Sequence, residues 1–271
     1  MAQSKEEIKR NEQALDKFKM NLFDLTGKVA IITGGNTGLG QGYAVALAEA
    51  GADIFIPTFG TLEWDNTRSM IEKRGRKVEF MDVDLTKPGI PQKIVEKAID
   101  IFGHIDILIN NAGMIKRNPI LESKDEDWQK VIDINLNAVY YMSMAVAKVM
   151  AKQKSGKIIN IGSMLSFQGG KNIPSYTASK HGVAGLTKAL ASGLGKYNIQ
   201  VNAIAPGYIK TANTAPIRAD KARNQEILDR IPAEHWAEPS ELMGVAVFLA
   251  CAASNYVNGI ILPVDGGYLT R

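Results

Sequence analysis

The feature that most constrains the fold is a short β-branched run that passes directly into a glycine-rich turn and then into a helical run. Residues 28–33 have the Val and Ile content of a buried strand. Gly34, Gly38 and Gly40 follow, ahead of a helical run at 41–50. Glycine lets the backbone turn sharply, and a helix amino terminus offers free N–H groups and a positive dipole end. This order predicts a strand–turn–helix unit that can hold a phosphate group.

The glycine spacing leaves two interpretations open. The pattern is Gly-x3-Gly-x-Gly, whereas the usual dinucleotide fingerprint is G-x-G-x-x-G. A tight turn without a ligand is therefore the alternative to a nucleotide site.

Strand-like and helical runs alternate along the rest of the chain. Further strands are expected at 53–57, 77–83, 105–109, 157–161, 200–204 and 260–264, and the longer helices at 62–74, 125–151 and 238–252. Alternation of this kind gives a parallel sheet that helices cover on both faces. No repeat or Pro/Gly/Ser-rich linker interrupts it. The sequence therefore predicts a single α/β domain with a doubly wound, mostly parallel sheet over residues 25–271.

The amino-terminal segment has a different character from this domain. Residues 1–20 are densely charged and predict a short amphipathic helix with Ile8, Leu15 and Phe18 on roughly one side. We therefore expect residues 1–24 to form a helical extension. Its charge excludes a signal peptide.

Composition excludes several classes of function. The formal net charge is only +4 and the basic residues are scattered, so nucleic acid is not an expected partner. No apolar run reaches the length of a membrane span. The single cysteine, Cys251, cannot form an internal disulfide, which fits a cytoplasmic protein. The three histidines are far apart, and no metal site is expected.

The residues best suited to chemistry lie between 157 and 180. Tyr176 and Lys180 are four residues apart in a helix-permissive run, so they share one helix face. A nearby cation favours the phenolate and lowers the tyrosine pKa from about 10 toward neutrality. Ser163 follows an apolar strand, where its hydroxyl and the phenol can hold a carbonyl oxygen between them. A solvated surface pair is the alternative interpretation of Tyr176 and Lys180.

Polar residues at other strand ends extend this site. The carboxylate of Asp84 can accept a hydrogen bond from an adenine amino group, or it can cap the helix that begins near Pro91. The small residues of 110–113 let the backbone pass close to a ribose. Asn135 lies in an apolar helical stretch, where its amide either bends the helix and holds a water or makes a buried structural hydrogen bond.

The end of the second strand bears on the choice of cofactor. An acidic residue there selects NAD and a basic one selects NADP. Thr58 and Phe59 provide neither charge, and Thr37 in the glycine turn adds no cation. The absence of a partner for a 2′-phosphate favours NAD (NADH).

Taken in order, these motifs resemble those of the short-chain dehydrogenase/reductase family over residues 25–267. The matching segments are TGGNTGLG at 33–40, Asp84, NNAG at 110–113, Asn135, Ser163, YTASK at 176–180 and APG at 205–207. The resemblance implies a seven-stranded Rossmann-type sheet, a nicotinamide cofactor and a homotetramer. The family's usual aspartate is missing from the end of the second strand.

The resemblance also implies a role for each motif residue. Tyr176 would be the general acid in reduction, and Lys180 would lower its pKa and bind the nicotinamide ribose. Ser163 would polarise the substrate carbonyl, and Asn135 would position a water in the proton relay. The implied cofactor contacts are Gly34, Asn36, Thr37, Gly38, Leu39, Gly40, Thr58, Phe59, Asp84, Leu85, Asn111, Ala112, Gly113, Tyr176, Lys180, Pro206, Gly207, Ile209 and Thr211.

Within the family, the segments SMLSFQGG, EILDRIPA and VDGGYLTR are most similar to enzymes that act on six-carbon keto-sugar acids. Such a substrate carries a carboxylate. Arg117 can offer it a bidentate fork, and the alternative for this residue is a solvated loop arginine. Gln168 and Arg218 are further substrate candidates beside Ser163 and Tyr176.

Two other functions fit the same fold. A 3-oxoacyl-carrier-protein reductase would need NADPH, and the missing cations at Thr37, Thr58 and Phe59 argue against it. A nucleotide-sensing regulatory protein would need no acid, so the set Ser163, Tyr176 and Lys180 argues for an enzyme.

Overall fold

The computed structural model of the protein describes residues 6–7, 10, 12, 15 and 19–271. The described residues before 19 are helical and exposed, and the side chain of Leu15 is 75% accessible. Ile8 and Phe18, the other members of the predicted apolar side, lie outside the described residues. The hydrophobic core begins at Leu25, which is buried in a cluster of strand and helix residues on one face of the sheet.

Seven parallel strands form one sheet, as the fold prediction and the family resemblance require. Their order is β3-β2-β1-β4-β5-β6-β7. The strands are β1 (Val29–Ile32), β2 (Asp53–Thr58), β3 (Val78–Asp82), β4 (Ile107–Asn110), β5 (Gly156–Ile161), β6 (Ile199–Pro206) and β7 (Ile261–Val264). The order reverses between β1 and β4, and ligands of such sheets bind outside the carboxyl ends of the strands near that point.

Helices cover both faces of the sheet. They are α1 (Gly38–Glu49), α2 (Trp64–Glu72), α3 (Ile90–Phe102), α4 (Asp125–Ile132), α5 (Ala138–Gln153), α6 (Pro174–Leu194), α7 (Ala215–Ala219), α8 (Lys221–Leu228) and α9 (Met243–Ala250). The two-residue period of a strand divides the core into two layers. Ala30 and Ile32 pack with α1, α2 and α9, whereas Ile31 packs with α3, α5 and α6.

One predicted helix is divided in the structure, and one polar segment forms short helices. The helix expected over 125–151 is interrupted by a π-helical turn at Asp133–Asn137, which separates α4 from α5. The polar segment 209–235, which follows β6, contains the short helices α7 and α8. Apolar residues of that segment, Ile227 and Ile231, pack against Met164.

The described part of the chain contains neither a membrane-spanning helix nor a cluster of metal-ligating side chains. None of its helices is long and apolar enough to span a membrane. Among the same residues, no group of three His, Cys, Asp or Glu side chains could hold a metal ion. Cys251 is buried in the core beyond α9.

Candidate active site

The glycine turn after β1 has the shape of a phosphate cradle. Gly34 and Gly38 have φ of +61° and +55°, which side chains rarely adopt. A Cβ on Gly40 would collide with the Gly34 carbonyl oxygen and with the Asn111 side chain. By contrast, a Cβ on Gly38 would meet nothing within 4 Å, so the backbone there borders open space at the amino terminus of α1. The turn therefore fits the close approach of a pyrophosphate.

Asparagine side chains tie this turn to the neighbouring strands. Asn111 Nδ2 donates to the carbonyl oxygens of Thr33 and Gly34 at 3.0 and 3.1 Å. One residue earlier, Asn110 Nδ2 donates to Asn160 Oδ1 of β5 at 2.9 Å. These contacts hold the carboxyl ends of β1, β4 and β5 in one fixed arrangement.

The end of β2 is bonded to the same turn. Thr58 Oγ1 donates to Asn36 Oδ1 at 2.6 Å, and Asn36 Nδ2 donates to the Leu62 carbonyl oxygen at 2.8 Å. Phe59, in contrast, leaves its side chain 81% exposed. The predicted residues Asn36, Thr58 and Phe59 are therefore brought together beside the glycine turn.

Asp84 lies beyond β3 at the same edge of the sheet. Its Oδ1 accepts from Thr86 N and Thr86 Oγ1 at 3.0 and 2.6 Å. The hydrogen bond from the Thr86 hydroxyl is the main reason that the pKa of Asp84 is lowered. The helix α3 is preceded by Gly89, so Asp84 does not cap it. The neighbouring Leu85 side chain is buried in the core, which leaves only its backbone to meet a ligand.

Ser163, Tyr176 and Lys180 converge at the carboxyl end of β5. Ser163 begins the short turn Met164–Ser166, and Tyr176 lies in the first turn of α6. The Ser163 side chain acts on the Tyr176 hydroxyl and lowers its pKa, although burial raises it by more. Lys180 Nζ lies 5.4 Å from the centre of the Tyr176 ring and donates to the Ile161 carbonyl oxygen at 2.6 Å.

The electrostatics of this group differ from the sequence prediction. Burial raises the pKa of Tyr176, while the hydrogen bond with Ser163 and the charge of Arg117 lower it by less. Burial also lowers the pKa of Lys180 to about 8. The predicted net lowering of the tyrosine pKa is therefore wrong for the protein without ligands, because removal from water outweighs the effects of Ser163 and of the Arg117 charge.

Asn135 occupies the π-helical turn and is fully buried. Its Oδ1 accepts from Met114 N at 2.8 Å, and its Nδ2 donates to Met114 O and to Ser179 Oγ at 2.9 and 3.2 Å. Ser179 Oγ donates in turn to the Tyr176 carbonyl oxygen at 2.7 Å. The amide thus makes buried structural hydrogen bonds, which join the loop after β4 to the turn of α6 that carries Tyr176.

Two arginines lie against the segment after β6. Arg117 Nη2 donates to Asn213 O at 3.3 Å, and Arg218 Nη2 donates to Thr211 O at 3.2 Å. Arg218 Nε is buried without a hydrogen-bond partner. Within residues 19–271, neither arginine forms an ion pair with a carboxylate. Gln168 is half-buried beyond Met164–Ser166.

The remaining predicted cofactor residues follow β6, which ends at Pro206. A Cβ on Gly207 would lie 2.6 Å from the Asp265 backbone, so a larger residue cannot fit there. Ile209 is buried and bridges to Ala237. Thr211 precedes a short helical turn at Ala212–Thr214.

Sequence reasoning missed Thr33 and Ser179, which organise this site. The Thr33 hydroxyl accepts from the backbone N–H groups of Asn111 and Ala112, both at 3.0 Å. The one available signal for Thr33 was a polar residue at the end of an apolar strand. Ser179 lies between Tyr176 and Lys180. Its role depends on the hydrogen bond with Asn135, which is distant in sequence, so no local pattern could identify it.

Comparisons with known proteins agree with this geometry. A family model described as enoyl-(acyl carrier protein) reductase matches residues 34–269. An uncharacterised oxidoreductase of Escherichia coli K12, YgcW, is 53% identical over 96% of this chain and 99% of its own. The 2-dehydro-3-deoxy-D-gluconate 5-dehydrogenase of the same organism is 52% identical over 93% of this chain and 99% of its own.

Among solved structures, a provisionally assigned 2-deoxy-D-gluconate 3-dehydrogenase from Agrobacterium tumefaciens superimposes with a TM-score of 0.86. It is 47% identical, covers 93% of this chain and 100% of its own, and contains NADP. The likeness therefore extends over nearly the whole domain.

Proposed function

The chain belongs to the short-chain dehydrogenase/reductase family, and on that premise we propose that it interconverts a keto group and a secondary alcohol on a six-carbon keto-deoxy sugar acid with NAD(H). The observation that carries the proposal is the convergence of Ser163, Tyr176 and Lys180 at the carboxyl end of β5, where Ser163 and the charge of Arg117 both act to lower the pKa of the Tyr176 hydroxyl. A protein that only sensed a nucleotide would need neither a proton donor nor a free cation at that point.

We propose the following roles for the chain's own residues. The nicotinamide cofactor, when bound, supplies or accepts the hydride. The glycine turn and the amino terminus of α1 would hold its pyrophosphate, and Lys180 would bind its ribose. In reduction, the Tyr176 hydroxyl donates its proton to the carbonyl oxygen as that oxygen gains negative charge. Ser163 donates a second hydrogen bond to the same oxygen and orients it.

Asn135 acts on this chemistry through its neighbours in our proposal. Its hydrogen bonds with Met114 and Ser179 fix the loop after β4 against the first turn of α6. That contact sets the position of the Tyr176 backbone. We retain the water-positioning role of Asn135 as part of the proposal.

For the substrate we propose 3-deoxy-D-glycero-2,5-hexodiulosonate, which a 2-dehydro-3-deoxy-D-gluconate 5-dehydrogenase reduces in uronate breakdown. The similarity to an enzyme of that name supports the substrate. Arg117 supports the acidic class, because a guanidinium without a carboxylate partner of its own can bind the substrate's carboxylate in a bidentate manner. Gluconate 5-dehydrogenase activity is the alternative, since its substrate is also a sugar acid.

A panel of substrates with both coenzymes tests the function. We expect the highest kcat/KM with NADH and the 2,5-diketo sugar acid, a lower value with 5-ketogluconate, and none with an acetoacetyl thioester. Each pair is measured by the loss of nicotinamide absorbance at equal enzyme concentration. Turnover of the thioester with NADPH alone would overturn the proposal in favour of a carrier-protein reductase.

The pH dependence of reduction is expected to follow Lys180. Burial lowers its pKa to about 8, so its charge is lost as pH rises through that value. The pKa of Tyr176 is raised, and the phenol therefore keeps its proton over the same range. We expect kcat/KM for NADH oxidation to be constant at lower pH and to fall as pH rises through about 8, because kcat/KM reports the free enzyme.

A matched control separates this lysine from a second buried one. Burial also lowers the pKa of Lys157 to about 8, but Lys157 lies near the start of β5, at the opposite edge of the sheet. Lys157→Met should leave the pH profile of kcat/KM unchanged. A wild-type profile that stays flat up to the ordinary lysine pKa of about 10.4 would contradict the role of Lys180.

We also propose a cytoplasmic homotetramer. Three aromatic side chains on α4 and α5 support an assembly, since Trp128, Tyr140 and Tyr141 are 46%, 44% and 56% exposed. Exposed rings of this size are typical of a surface that another subunit covers.

A further inference from the structure

An acidic side chain lies beside the carboxyl end of β2, although β2 has no acidic residue at that end. Asp82 is the last residue of β3 and pairs in register with Thr58, the last residue of β2. Paired residues of neighbouring parallel strands point to the same face of the sheet. The Asp82 carboxylate therefore lies at the carboxyl edge of the sheet, next to Thr58.

This carboxylate holds the turn that follows β2. Asp82 Oδ1 accepts a hydrogen bond from Gly60 N at 2.7 Å, and Gly60 has a φ of +80°. In the described part of the chain, Asp82 forms no ion pair, and it is exposed. Its negative charge thus lies against the turn that contains Phe59 and Gly60, and no described cation pairs with it.

The arginine nearest to this region in sequence is directed away from it. Arg68 Nη1 donates to Val78 O at 3.0 Å, its guanidinium lies 5.1 Å from the Phe80 ring centre, and it is 3.8 Å from Glu72. Val78 is the first residue of β3, about 13 Å along the strand from Asp82 at ~3.3 Å per residue. The Arg68 guanidinium is therefore engaged along β3 ahead of Asp82 and not at the carboxyl end of the strand.

The other basic residues after α2 lie toward the amino edge of the sheet. Lys73 directly follows α2. Arg74 Nε pairs with Glu49 at 2.7 Å, and Arg76 Nη1 donates to Gly51 O at 3.0 Å. Glu49 ends α1 and Gly51 precedes β2, so both partners lie at the edge of the sheet opposite to the cofactor turn.

The neutral side-chain donors near the turn already make hydrogen bonds within the protein. Both ends of the Asn36 amide are used, by Thr58 and by the Leu62 carbonyl oxygen. The Thr58 hydroxyl donates to that same amide. A phosphate at the end of β2 would thus find an anion and no side chain among these that is free to donate.

We propose that Asp82 is the acidic selector of this site, and that its carboxylate disfavours the 2′-phosphate of NADP relative to the 2′-hydroxyl of NAD. The inference rests on the proposed function, because it requires the adenosine ribose of a nicotinamide cofactor at the end of β2. In doubly wound folds the selecting acid comes from the second strand itself. Here the neighbouring strand supplies the charge, because Asp82 and Thr58 end their strands in register.

The test is coenzyme binding without substrate. Asp82→Asn removes the charge and keeps an acceptor for Gly60 N. NADH and NADPH are titrated into the protein, and their dissociation constants are measured from nicotinamide fluorescence. We expect Asp82→Asn to bind NADPH about fivefold more tightly or better, as the loss of one nearby like charge predicts, with NADH affinity unchanged. Asp82→Glu, which keeps the charge, should retain the wild-type ratio.

Glu79→Gln is the matched control, because it removes an exposed charge from the same strand nearer the amino edge. It should change neither affinity. Salt offers a second measurement on the unaltered protein. Screening weakens the repulsion of the 2′-phosphate, so the ratio of the NADPH to the NADH dissociation constant should fall as ionic strength rises.

Each other result contradicts the inference. If Asp82→Asn weakens both coenzymes equally, Asp82 only holds the turn at Gly60. If the affinity ratio changes neither with the substitution nor with salt, Asp82 does not select, although the proposed function stands. If the unaltered protein binds neither coenzyme, the proposed function fails and the inference fails with it.

Discussion

Replacing Tyr176 by phenylalanine is expected to lower kcat by about two to four orders of magnitude. The ring remains to pack in the first turn of α6, but the group that delivers the proton to the carbonyl oxygen is lost. Ser163 can still polarise that oxygen, yet its hydroxyl has no basic partner to replace the proton. The measurement is single-turnover reduction of the sugar acid with saturating NADH.

Coenzyme binding separates the loss of an acid from a loss of structure. NADH affinity, measured by fluorescence, should barely change in Tyr176→Phe, because the lysine that we propose to bind the ribose is intact. Tyr256→Phe is the control, since it removes the same hydroxyl from a fully exposed tyrosine; kcat should not change. Near-normal turnover in Tyr176→Phe would refute the assignment of the acid.

The architecture could be predicted because its signals are local. Strands buried on both faces have largely apolar sequences, and β1, β4, β5 and β6 are buried at every residue. The two-residue period then assigns Ala30 and Ile31 to opposite layers. The glycine turn was equally predictable, because Gly34 and Gly38 adopt φ values that few other residues tolerate.

The electrostatics could not be predicted from spacing. The four-residue interval correctly places Lys180 beside the Tyr176 ring, but the sign of a pKa shift depends on how much water each group loses. Burial raises the pKa of Tyr176 and lowers that of Lys180, each toward its neutral form. The hydrogen-bond partners of Asn135 could not be predicted for a similar reason, since Met114 and Ser179 are distant from it in sequence.

The pairing register of β2 and β3 was the other feature that the sequence could not predict. Sequence reasoning looked for a selecting charge at the end of β2, where Thr58 and Phe59 carry none. Only the pairing of Thr58 with Asp82 shows that a carboxylate lies alongside. The contact of Arg68 with Val78 and the position of Lys73 after α2 argue against both residues as partners for a 2′-phosphate, although both are close to β2 in sequence.

The second large effect is expected at Arg117. Arg117→Ala removes a charge-assisted contact with the substrate carboxylate, and hydrogen bonds to charged groups contribute about 1.5–3 kcal/mol each. We expect KM for the sugar acid to rise roughly tenfold or more, with NADH binding intact. Steady-state kinetics on an anionic sugar acid and on a neutral sugar analogue are measured side by side.

The neutral analogue is needed because Arg117 has a second influence on the site. Its charge lowers the pKa of Tyr176, so its removal makes the phenol a weaker acid toward every substrate. That loss is common to both substrates, whereas the loss of the carboxylate contact falls on the anionic one alone. The ratio of the two KM changes therefore isolates the contact.

Lys116→Ala provides the matched control for charge. Lys116 precedes Arg117 on the same loop, but its ammonium lies 3.8 Å from Asp127 and so has a partner of its own. Its removal should leave both KM values unchanged. If Arg117→Ala instead raises KM by the same factor for the anionic and the neutral substrate, Arg117 does not bind the carboxylate. Its role is then limited to the structure of the loop and the acidity of Tyr176. The carboxylate must then bind at Arg218, whose buried Nε has no other partner, or at Gln168.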